Sequence, residues 1–280
     1  MSLVTTPALV LQTYRYSETS KVVRLATREL GVQSAIAKGA LRPKSRFGAG
    51  LELLSEGVAQ LYFRETRELH TLGAFDLVNL RRDLAADIGR FAGAAALAQV
   101  MLKMAPPAPL PVAYDALLAA LDALEMAASD RADATAVRAI WRLVAVLGFE
   151  PSLATCVRDG VQIEPGGGDA PVAFSVAEGG AFCPRCEPAL AQPSPRLPRQ
   201  AYRDLLALND PAAELPMLDP PHAAAHRRLV ARFVRYHLGE AGPLSALDFW
   251  ERRPWVSPPL TPAPPPVPPL DPAPVPSAVS

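Results

Sequence analysis

A change in hydrophobic period near residue 80 constrains the fold more than any other feature of this sequence. Before it, short apolar segments show partial two-residue alternation between polar or glycine-containing breaks, which predicts β-strands. After it, apolar residues recur at helical spacing. We therefore predict an α+β protein with a β domain over residues 1–80 and a helical domain over 81–250. The expected strands are residues 8–16, 21–26, 32–37, 51–63 and 69–77.

Five strands within about seventy residues fit a closed β-barrel of the oligonucleotide-binding (OB) type. An SH3-like barrel fits the strand count nearly as well. In the helical part, residues 82–104 are predicted as one long helix that stops before Pro106 and Pro107, because proline lacks the N–H that a helix needs. Further apolar stripes predict helices around residues 114–124, 137–148, 200–208 and 222–238, of which the second ends at Gly148.

The most distinctive polar feature is a basic, glycine-containing stretch over residues 38–50. It holds four cations and no acidic side chain, and its three glycines and Pro43 disfavour a helix or a regular strand. Such a loop offers charge and backbone N–H groups, which both suit a phosphate chain. A solvated basic loop without a ligand is the alternative. The expected nucleic-acid contacts are Arg15, Lys21, Arg24, Lys38, Arg42, Lys44 and Arg46.

The N-terminal region carries a local positive field that the overall balance of 28 basic and 28 acidic residues hides. From residue 15 to residue 46 there are eight cations against two anions, and such a field steers a polyanion. Nearby aromatic side chains are either platforms for unstacked bases or part of the barrel core. These are Tyr14, Tyr16, Phe47, Tyr62 and Phe63.

A cysteine-containing segment interrupts the helices over residues 151–188. Cys156 and Asp159 precede a glycine-rich, hairpin-like run, and Cys183 and Cys186 follow it. This spacing is typical of a zinc hairpin in which Asp159 stands in place of the second thiolate of the first pair. Either zinc is held by three sulfurs and Asp159, or the site no longer binds metal. The competing chemistry is a thiol-disulfide exchange at Cys183 and Cys186.

Several function classes lack support in the sequence. The N-terminus has neither a basic start nor a continuous apolar run, so we expect no secretory signal and a cytoplasmic protein. The most apolar stretch, residues 91–104, is too short to span a membrane. No Gly-x-x-x-x-Gly-Lys-Ser/Thr motif occurs, so we expect no nucleotide cofactor, and three cysteines in a reducing compartment make structural disulfides an unfavourable assignment.

The C-terminal part adds two weaker features. His222 and His226 lie one helical turn apart, and we interpret them as surface or cap residues because no acidic third ligand is near in sequence. Arg228, Arg232 and Arg235 share a face of the same helix, where they either extend a basic path or keep the helix soluble. Residues 254–280 contain 12 prolines and one charge, which predicts a disordered or polyproline II tail.

Taken in order, these segments resemble the bacterial RecO family of recombination mediators. The likeness is carried by residues 8–23, by 26–31 and by Ala-Lys-Gly-Ala-Leu-Arg-Pro-Lys-Ser at 37–45. Further on it is carried by Leu-Gly-Phe-Glu-Pro-Ser-Leu at 147–153, the three cysteines, residues 236–239 and residues 244–249. It covers roughly residues 5 to 250 and excludes the proline-rich tail, which makes it more specific than a single motif.

The resemblance implies an OB-fold barrel, a helical domain and a zinc motif that many members build from four cysteines. It also implies binding of single- and double-stranded DNA, annealing of strands coated by single-strand-binding protein, and partnership with RecR so that RecA can load in gap repair. This chain departs from the family at Asp159, which replaces a cysteine. It also departs after Arg138, where Arg-Ala-Ile replaces Arg-Phe-Glu near a docking site for the tail of single-strand-binding protein.

The function we predict is therefore binding rather than catalysis: a DNA-binding recombination mediator in gap repair, located at the nucleoid. Two alternatives from other classes remain open at this point. One is a thiol-disulfide redox protein that uses Cys183 and Cys186. The other is a protein-only adaptor in which the barrel binds a polypeptide and the proline-rich tail recruits a partner.

Overall fold

A computed structural model describes residues 2–106, 108–164, 169–189, 194–239 and 242–256. Residues 257–280, which hold most of the expected proline-rich tail, lie outside the described residues, as do residues 166–168 of the glycine-rich run. Among the described residues, no helix combines the length and the apolar character that crossing a membrane requires.

Five strands close into a barrel at the N-terminus. Neighbouring strands pair antiparallel except β3 and β5, which pair parallel, and the order around the barrel is β1-β2-β3-β5-β4. This closed five-stranded barrel confirms the OB-type prediction. The strands are β1 (Ser2–Arg15), β2 (Lys21–Thr27), β3 (Gly31–Ala37), β4 (Glu56–Phe63) and β5 (Leu69–Asn79).

The start of the fourth strand was predicted too early. Residues 51–55 form turns, and β4 begins at Glu56. Leu54 adopts a left-handed backbone conformation with φ of 68°, and its N–H donates to the Val10 carbonyl at 2.8 Å. The apolar side chains of Leu51 and Leu54 suggested a strand, but both are buried from within a turn.

The middle of β1 is apolar on both faces because both faces are covered. Ala8 and Val10 point into the barrel core, while Leu9 and Leu11 belong to the core of the helical part. A strand with one face in solvent would alternate between apolar and polar side chains. The continuous apolar run at residues 8–11 therefore shows that the helices pack directly on the barrel.

In the part of the chain that the structure describes, seven α-helices follow the barrel. The predicted single helix over residues 82–104 is wrong, because Asp87 takes an extended conformation and its carboxylate accepts a hydrogen bond from the Arg90 N–H at 2.9 Å, which starts a new helix. The helices are α1 (Arg82–Ala85), α2 (Ile88–Met104), α3 (Pro111–Met126), α4 (Ala132–Val144), α5 (Arg199–Asn209), α6 (Pro220–Leu238) and α7 (Ser245–Arg252). A wide turn over Ala145–Phe149 follows α4, and Gly148 turns the chain with φ of 93°.

Helix α2 lies at the centre of the helical part, against α3, α4 and α7. Its small side chains permit this close packing: a Cβ placed on Gly93 would lie 3.0 Å from the Cβ of Ala136 in α4. Trp141 and Trp250 are fully buried around it. The alanine-rich composition of the predicted helix therefore reflects contact on several sides rather than helix propensity alone.

A buried arginine ties the barrel to the helices. Arg81 lies between β5 and α1, its side chain is 1% exposed, and its guanidinium contacts Glu56 of β4 at 2.7 Å. The same group contacts Asp122 at 2.7 Å and Glu125 at 3.3 Å, both in α3. A single cation thus contacts three carboxylates from both parts of the molecule, which holds the two parts in one arrangement.

The cysteine-containing insert forms a small sheet beside α5. Its strands, in the order β7-β6-β8, are β6 (Val172–Ser175), β7 (Gly180–Phe182) and β8 (Arg196–Leu197). The insert has its own apolar cluster around Phe182 and Tyr202. The buried Tyr202 hydroxyl donates to the Leu153 carbonyl at 2.6 Å, which fixes the insert to α5.

Candidate nucleic-acid interface and metal cluster

The basic stretch over residues 38–50 connects β3 to the turns before β4 as a chain of tight turns. Backbone N–H groups bond to carbonyls three residues back, as in Arg42 to Gly39 at 3.1 Å and Ser45 to Arg42 at 3.0 Å. Gly39 and Gly48 take left-handed conformations, with φ of 75° and 51°. The loop therefore has a defined backbone without a regular helix or strand, as its composition predicts.

Two apolar side chains anchor this basic loop to the barrel. Phe47 is 4% exposed and Leu51 is 2% exposed, and both belong to the barrel core. Burying them closes one end of the barrel and leaves the intervening polar residues outside. The interpretation of Phe47 as a base-stacking platform is therefore wrong, since its ring packs inward.

The four cations of the loop are free to meet an anion. Lys38, Arg42, Lys44 and Arg46 are all exposed, and none forms an ion pair with another described residue. Arg46 lies with its guanidinium 5.1 Å from the centre of the Phe47 ring, which holds it beside the loop rather than against a carboxylate. An unpaired cluster of like charges is the arrangement that releases most counterions when a phosphate chain binds.

The other three predicted cations differ in their surroundings. Arg15 is exposed and pairs across the sheet with Lys21. Lys21 pairs in turn with Ala37, the residue before the basic loop. Arg15 and Lys21 therefore lie near the start of the loop. The Leu41 N–H also donates to the Thr19 carbonyl at 3.0 Å, tying the loop to the β1–β2 turn. Lys21, however, pairs with Glu52 at 2.8 Å, so its charge is already partly neutralised.

Arg24 lies on the outer wall of the barrel rather than at its end. It is half-buried, opposite Gln12 of β1 and Ser34 of β3. Three residues separate it from Lys21, which corresponds to about 10 Å along a strand. The structure thus groups Arg15 with the four loop cations and sets Arg24 on a neighbouring surface.

Three tyrosines offer exposed aromatic surface on the barrel. Tyr14, Tyr16 and Tyr62 are 45%, 61% and 40% exposed. Tyr14 precedes Arg15 in β1, so its ring points to the opposite face of the strand from the arginine, and Tyr16 follows directly after the end of β1. Phe63 instead stacks on His70, with ring centres 4.5 Å apart.

The four predicted metal ligands converge in the insert. Among the described residues, the thiols of Cys156, Cys183 and Cys186 and a carboxylate oxygen of Asp159 all lie within 4.8 Å of one another. Each pair is presented by a tight turn: the Gly160 N–H bonds to the Cys156 carbonyl at 2.9 Å, and the Cys186 N–H bonds to the Cys183 carbonyl at 3.1 Å. Two turns facing each other in this way form a zinc-hairpin arrangement.

Two sulfur–oxygen distances in the cluster are close to those of a tetrahedral zinc site. With Zn–S near 2.3 Å and Zn–O near 2.1 Å, neighbouring sulfur and oxygen ligands lie about 3.6 Å apart. The Asp159 Oδ2 lies 3.5 Å from the Cys183 sulfur and 3.1 Å from the Cys186 sulfur. The three sulfurs and the carboxylate oxygen therefore suit zinc in donor type, and these two distances suit it in spacing.

Asp159 also has a partner within the chain. Its Oδ2 accepts a hydrogen bond from Arg185 at 2.7 Å, and its Oδ1 accepts one from the Val161 N–H at 3.1 Å. The bond from Arg185, followed by that from the Cys186 thiol, holds the pKa of this carboxyl well below its usual range. Asp159 is therefore held as the anion that metal coordination requires.

Comparison with known proteins identifies the family. The family model "Recombination protein O N terminal" matches residues 1–81, and "Recombination protein O C terminal" matches residues 85–246. The chain belongs to the RecO family. This confirms the resemblance on which the sequence analysis drew.

Curated RecO proteins align along most of this RecO-family chain. A protein named DNA repair protein RecO from Anaeromyxobacter sp. (strain K) is 32% identical over 243 residues, covering 85% of this chain and 93% of the relative. The protein of the same name from Desulfatibacillum aliphaticivorans is 30% identical over 245 residues, covering 86% and 94%. That from Symbiobacterium thermophilum is 34% identical over 189 residues, covering 66% and 72%.

In this RecO-family chain, Arg138 has an internal role. Its Nη2 donates to the carbonyls of Ala207 and Ala213, both at 2.9 Å, and so holds the connection between α5 and α6 onto α4. Docking of an acidic tail at Arg138 stays a prediction, and it would have to share this guanidinium with the two carbonyls.

The two helix histidines of this RecO-family chain have different environments. His222 lies in the first turn of α6, where Asp219 caps the helix by accepting a hydrogen bond from the His222 N–H at 2.9 Å. His226 is 2% exposed, so its interpretation as a surface or cap residue is wrong. The two histidines are one helical turn apart, yet His222 lies at the solvated end of α6 and His226 on its buried side.

Sequence reasoning gave the barrel core as one of two alternatives for Phe47, and the structure selects it. It missed Arg81, which no local pattern marks, because its three carboxylate partners come from positions up to 44 residues away.

Proposed function

We propose that this chain is a DNA-binding recombination mediator that acts in DNA gap repair at the nucleoid in the cytoplasm. In this proposal the basic end of the barrel binds the phosphates of single- and double-stranded DNA. The chain anneals complementary strands and, with RecR, assists the loading of RecA. Support comes from membership of the RecO family, from relatives named DNA repair protein RecO, and from the charge distribution of the barrel.

One observation carries the proposal: the loop holds four exposed cations that have no carboxylate partner among the described residues, and Phe47 and Leu51 anchor it in the barrel core. Because the anchor residues Phe47 and Leu51 order the loop before DNA arrives, less conformational entropy is lost on binding. Arg15 extends the same end of the barrel. Tyr14 and Tyr16 beside it can stack on unpaired bases, which contributes affinity that does not depend on sequence.

The mechanism consists of binding and positioning. Cations of the barrel neutralise phosphates, which lowers the repulsion between two strands that must pair. Single-strand-binding protein is displaced or bridged in the process, and its acidic tail is the proposed partner of Arg138. No nucleotide and no catalytic residue is needed for these steps. The buried Arg81 contacts keep the barrel and the helices in one arrangement, so partners on the helical part act at a constant distance from the bound strand.

The insert would hold zinc through Cys156, Asp159, Cys183 and Cys186. When bound, the ion would supply a structural cross-link between the two turns of the hairpin. The Cys186 thiol is a poor candidate for redox catalysis, because its hydrogen bond to Asp159 raises its pKa to about 12 and so disfavours the reactive thiolate. We propose residues 1–80 as the DNA-binding domain, residues 81–250 as the helical domain and residues 151–188 as its zinc-hairpin insert.

A direct test measures DNA binding and strand annealing by the full chain. Fluorescence anisotropy with a labelled oligonucleotide, single-stranded or in duplex, should show affinity that falls steeply with salt. Annealing of complementary strands coated with single-strand-binding protein should be faster with the protein than without it. A chain that binds neither form of DNA at low salt would contradict the proposal and favour the protein-only adaptor.

A further inference from the structure

A cavity distinct from the barrel and the cysteine cluster lies between the segment 195–201 and helix α6. Its volume is about 520 Å³, which falls within the range of small-molecule sites, roughly 300–1,000 Å³. Apolar groups form much of its wall, including Leu197, Ala201, Ala225 and Leu229. The proposed DNA-binding mechanism uses none of these residues.

Two unpaired cations stand at this cavity. Arg228 and Arg232 line it, lie one turn apart on α6, are exposed, and form no ion pair among the described residues. The next arginine on the same face, Arg235, differs because it pairs with Asp248 at 2.6 Å and with Glu251. Two like charges four residues apart repel each other on a helix. An anion at the cavity would remove this repulsion.

A buried histidine lies at the same cavity. His226 lines it and is 2% exposed, and neither ring nitrogen has a hydrogen-bond partner among the described residues. Neighbouring atoms cover both nitrogens, so a bound molecule lies beside the imidazole rather than hydrogen-bonded to it. Glu251 also lines the cavity, and Arg235 pairs with it. The lining therefore combines apolar walls, a cationic edge and one carboxylate that already has a partner.

We propose that this cavity binds a small molecule that carries a carboxylate on an apolar body. The carboxylate is held by Arg228 and Arg232, which suit bidentate hydrogen bonds to such a group. The apolar body lies against Leu197 and Leu229, beside the His226 side chain. The site shares no residue with the proposed DNA contacts. A test of this proposal can therefore fail while the proposed DNA-binding function stands, and the reverse.

The test uses the full chain and three probes. The dye 1-anilinonaphthalene-8-sulfonate, an apolar anion, should bind saturably at one molecule per chain. Octanoate should displace it at concentrations at least about tenfold lower than 1-octanol does, because the two have the same chain length and differ in charge. Equal displacement by the two would overturn the proposal, since the arginines would then play no part.

Variants and one spectroscopic signal locate the binding site. Arg228→Gln with Arg232→Gln should weaken dye and octanoate binding about tenfold or more. Ala225→Trp, at an exposed wall position, should block both by filling the cavity. The matched control, Arg142→Gln with Arg252→Gln, removes the same charge elsewhere and should leave binding unchanged. Thermal unfolding followed by circular dichroism establishes that each variant is folded.

The histidine signals provide the second readout. The chain has four histidines, so the imidazole nitrogen signals in an NMR spectrum can be assigned by comparison with His226→Gln. Octanoate should shift the signals of His222 and His226, which both line the cavity, more than those of His70 and His237. Binding that leaves His226 unmoved, or that persists in both cavity variants, would place the ligand elsewhere and refute the assignment.

Discussion

Removing the charge of the basic loop should change how DNA binding responds to salt. The change is the fourfold substitution of Lys38, Arg42, Lys44 and Arg46 by glutamine. These side chains are exposed and have no carboxylate partner among the described residues, so their loss should leave no buried charge unpaired. The anchors Phe47 and Leu51 stay in place. The fold should therefore be retained, and an effect on DNA binding would report lost phosphate contacts.

The expected magnitude follows from the number of phosphates that the loop neutralises. Each contact with single-stranded DNA contributes about −0.7 to the slope of log K against log salt concentration, so four contacts contribute about −2.8. Between 50 and 200 mM salt, that slope corresponds to a change in affinity of about 50-fold. The affinity of the wild-type chain for single-stranded DNA should fall at least about 50-fold between 50 and 200 mM salt. The slope of log K against log salt concentration should be shallower by about 2.8 in the variant.

The assay is fluorescence anisotropy with a labelled single strand, repeated across this range of salt. A control variant removes the same total charge from the helical part, at arginines that form no ion pair among the described residues. Its slope should match that of the wild-type chain. If the loop variant and the control variant behave alike, net charge rather than the loop determines binding. An unchanged slope in the loop variant would refute the placement of the DNA contact. The control substitutes Arg82, Arg142, Arg203 and Arg252 by glutamine.

Three further predictions concern stability and metal binding. Arg81→Ala should lower the free energy of unfolding in urea by about 3 kcal/mol, because it leaves three carboxylates without their shared cation; a loss below about 1 kcal/mol would show that the contact adds little to stability. Asp159→Cys should raise the affinity for Zn²⁺ on the order of tenfold in competition with a chromophoric chelator, since thiolates suit zinc better, and an unchanged affinity would remove Asp159 from the ligand set. Burial lowers the pKa of His226, and the nearby Asp204 opposes this with a smaller effect. Below about pH 6.5 the unfolded chain therefore binds more protons than the folded chain. The free energy of unfolding consequently falls as the pH drops. The free energy of unfolding should be level between pH 7 and 8 and decline below about 6.5, and His226→Gln should decline less steeply; identical pH profiles would contradict this account.

Local chemistry made much of the fold predictable. The two-residue alternation before residue 80 and the helical period after it gave the right order of elements, because a strand or a helix must bury its own apolar face. Prolines and glycines marked the ends of elements for the same local reason. The first strand was predicted to begin at residue 8, but it begins at Ser2. Two further errors fell at residues 51–55 and at Asp87. At both positions an apolar pattern continued across a break that hydrogen bonds to other residues, Val10 and Arg90, determine.

Some properties of the candidate sites were visible in the sequence, and others depended on the fold. The residue types that make a basic loop or a cysteine cluster are visible in the sequence, and Cys156, Asp159, Cys183 and Cys186 were predicted together from their spacing alone. The sequence did not show that Lys21 pairs with Glu52, whereas the loop cations form no ion pair among the described residues. Whether a charge is free depends on which carboxylates the fold brings near it, and Glu52 lies 31 residues further along the chain.

The amino-acid sequence by itself determined the family, the succession of barrel and helices, and the position of the basic loop, because these depend on residue types and their local spacing. The tertiary structure decided that Phe47 faces the barrel core, that Arg81 joins the two parts, and that His226 is buried beside a cavity lined by Arg228 and Arg232. Burial and charge pairing arise between residues distant in the chain, so these properties exist only once the chain has folded.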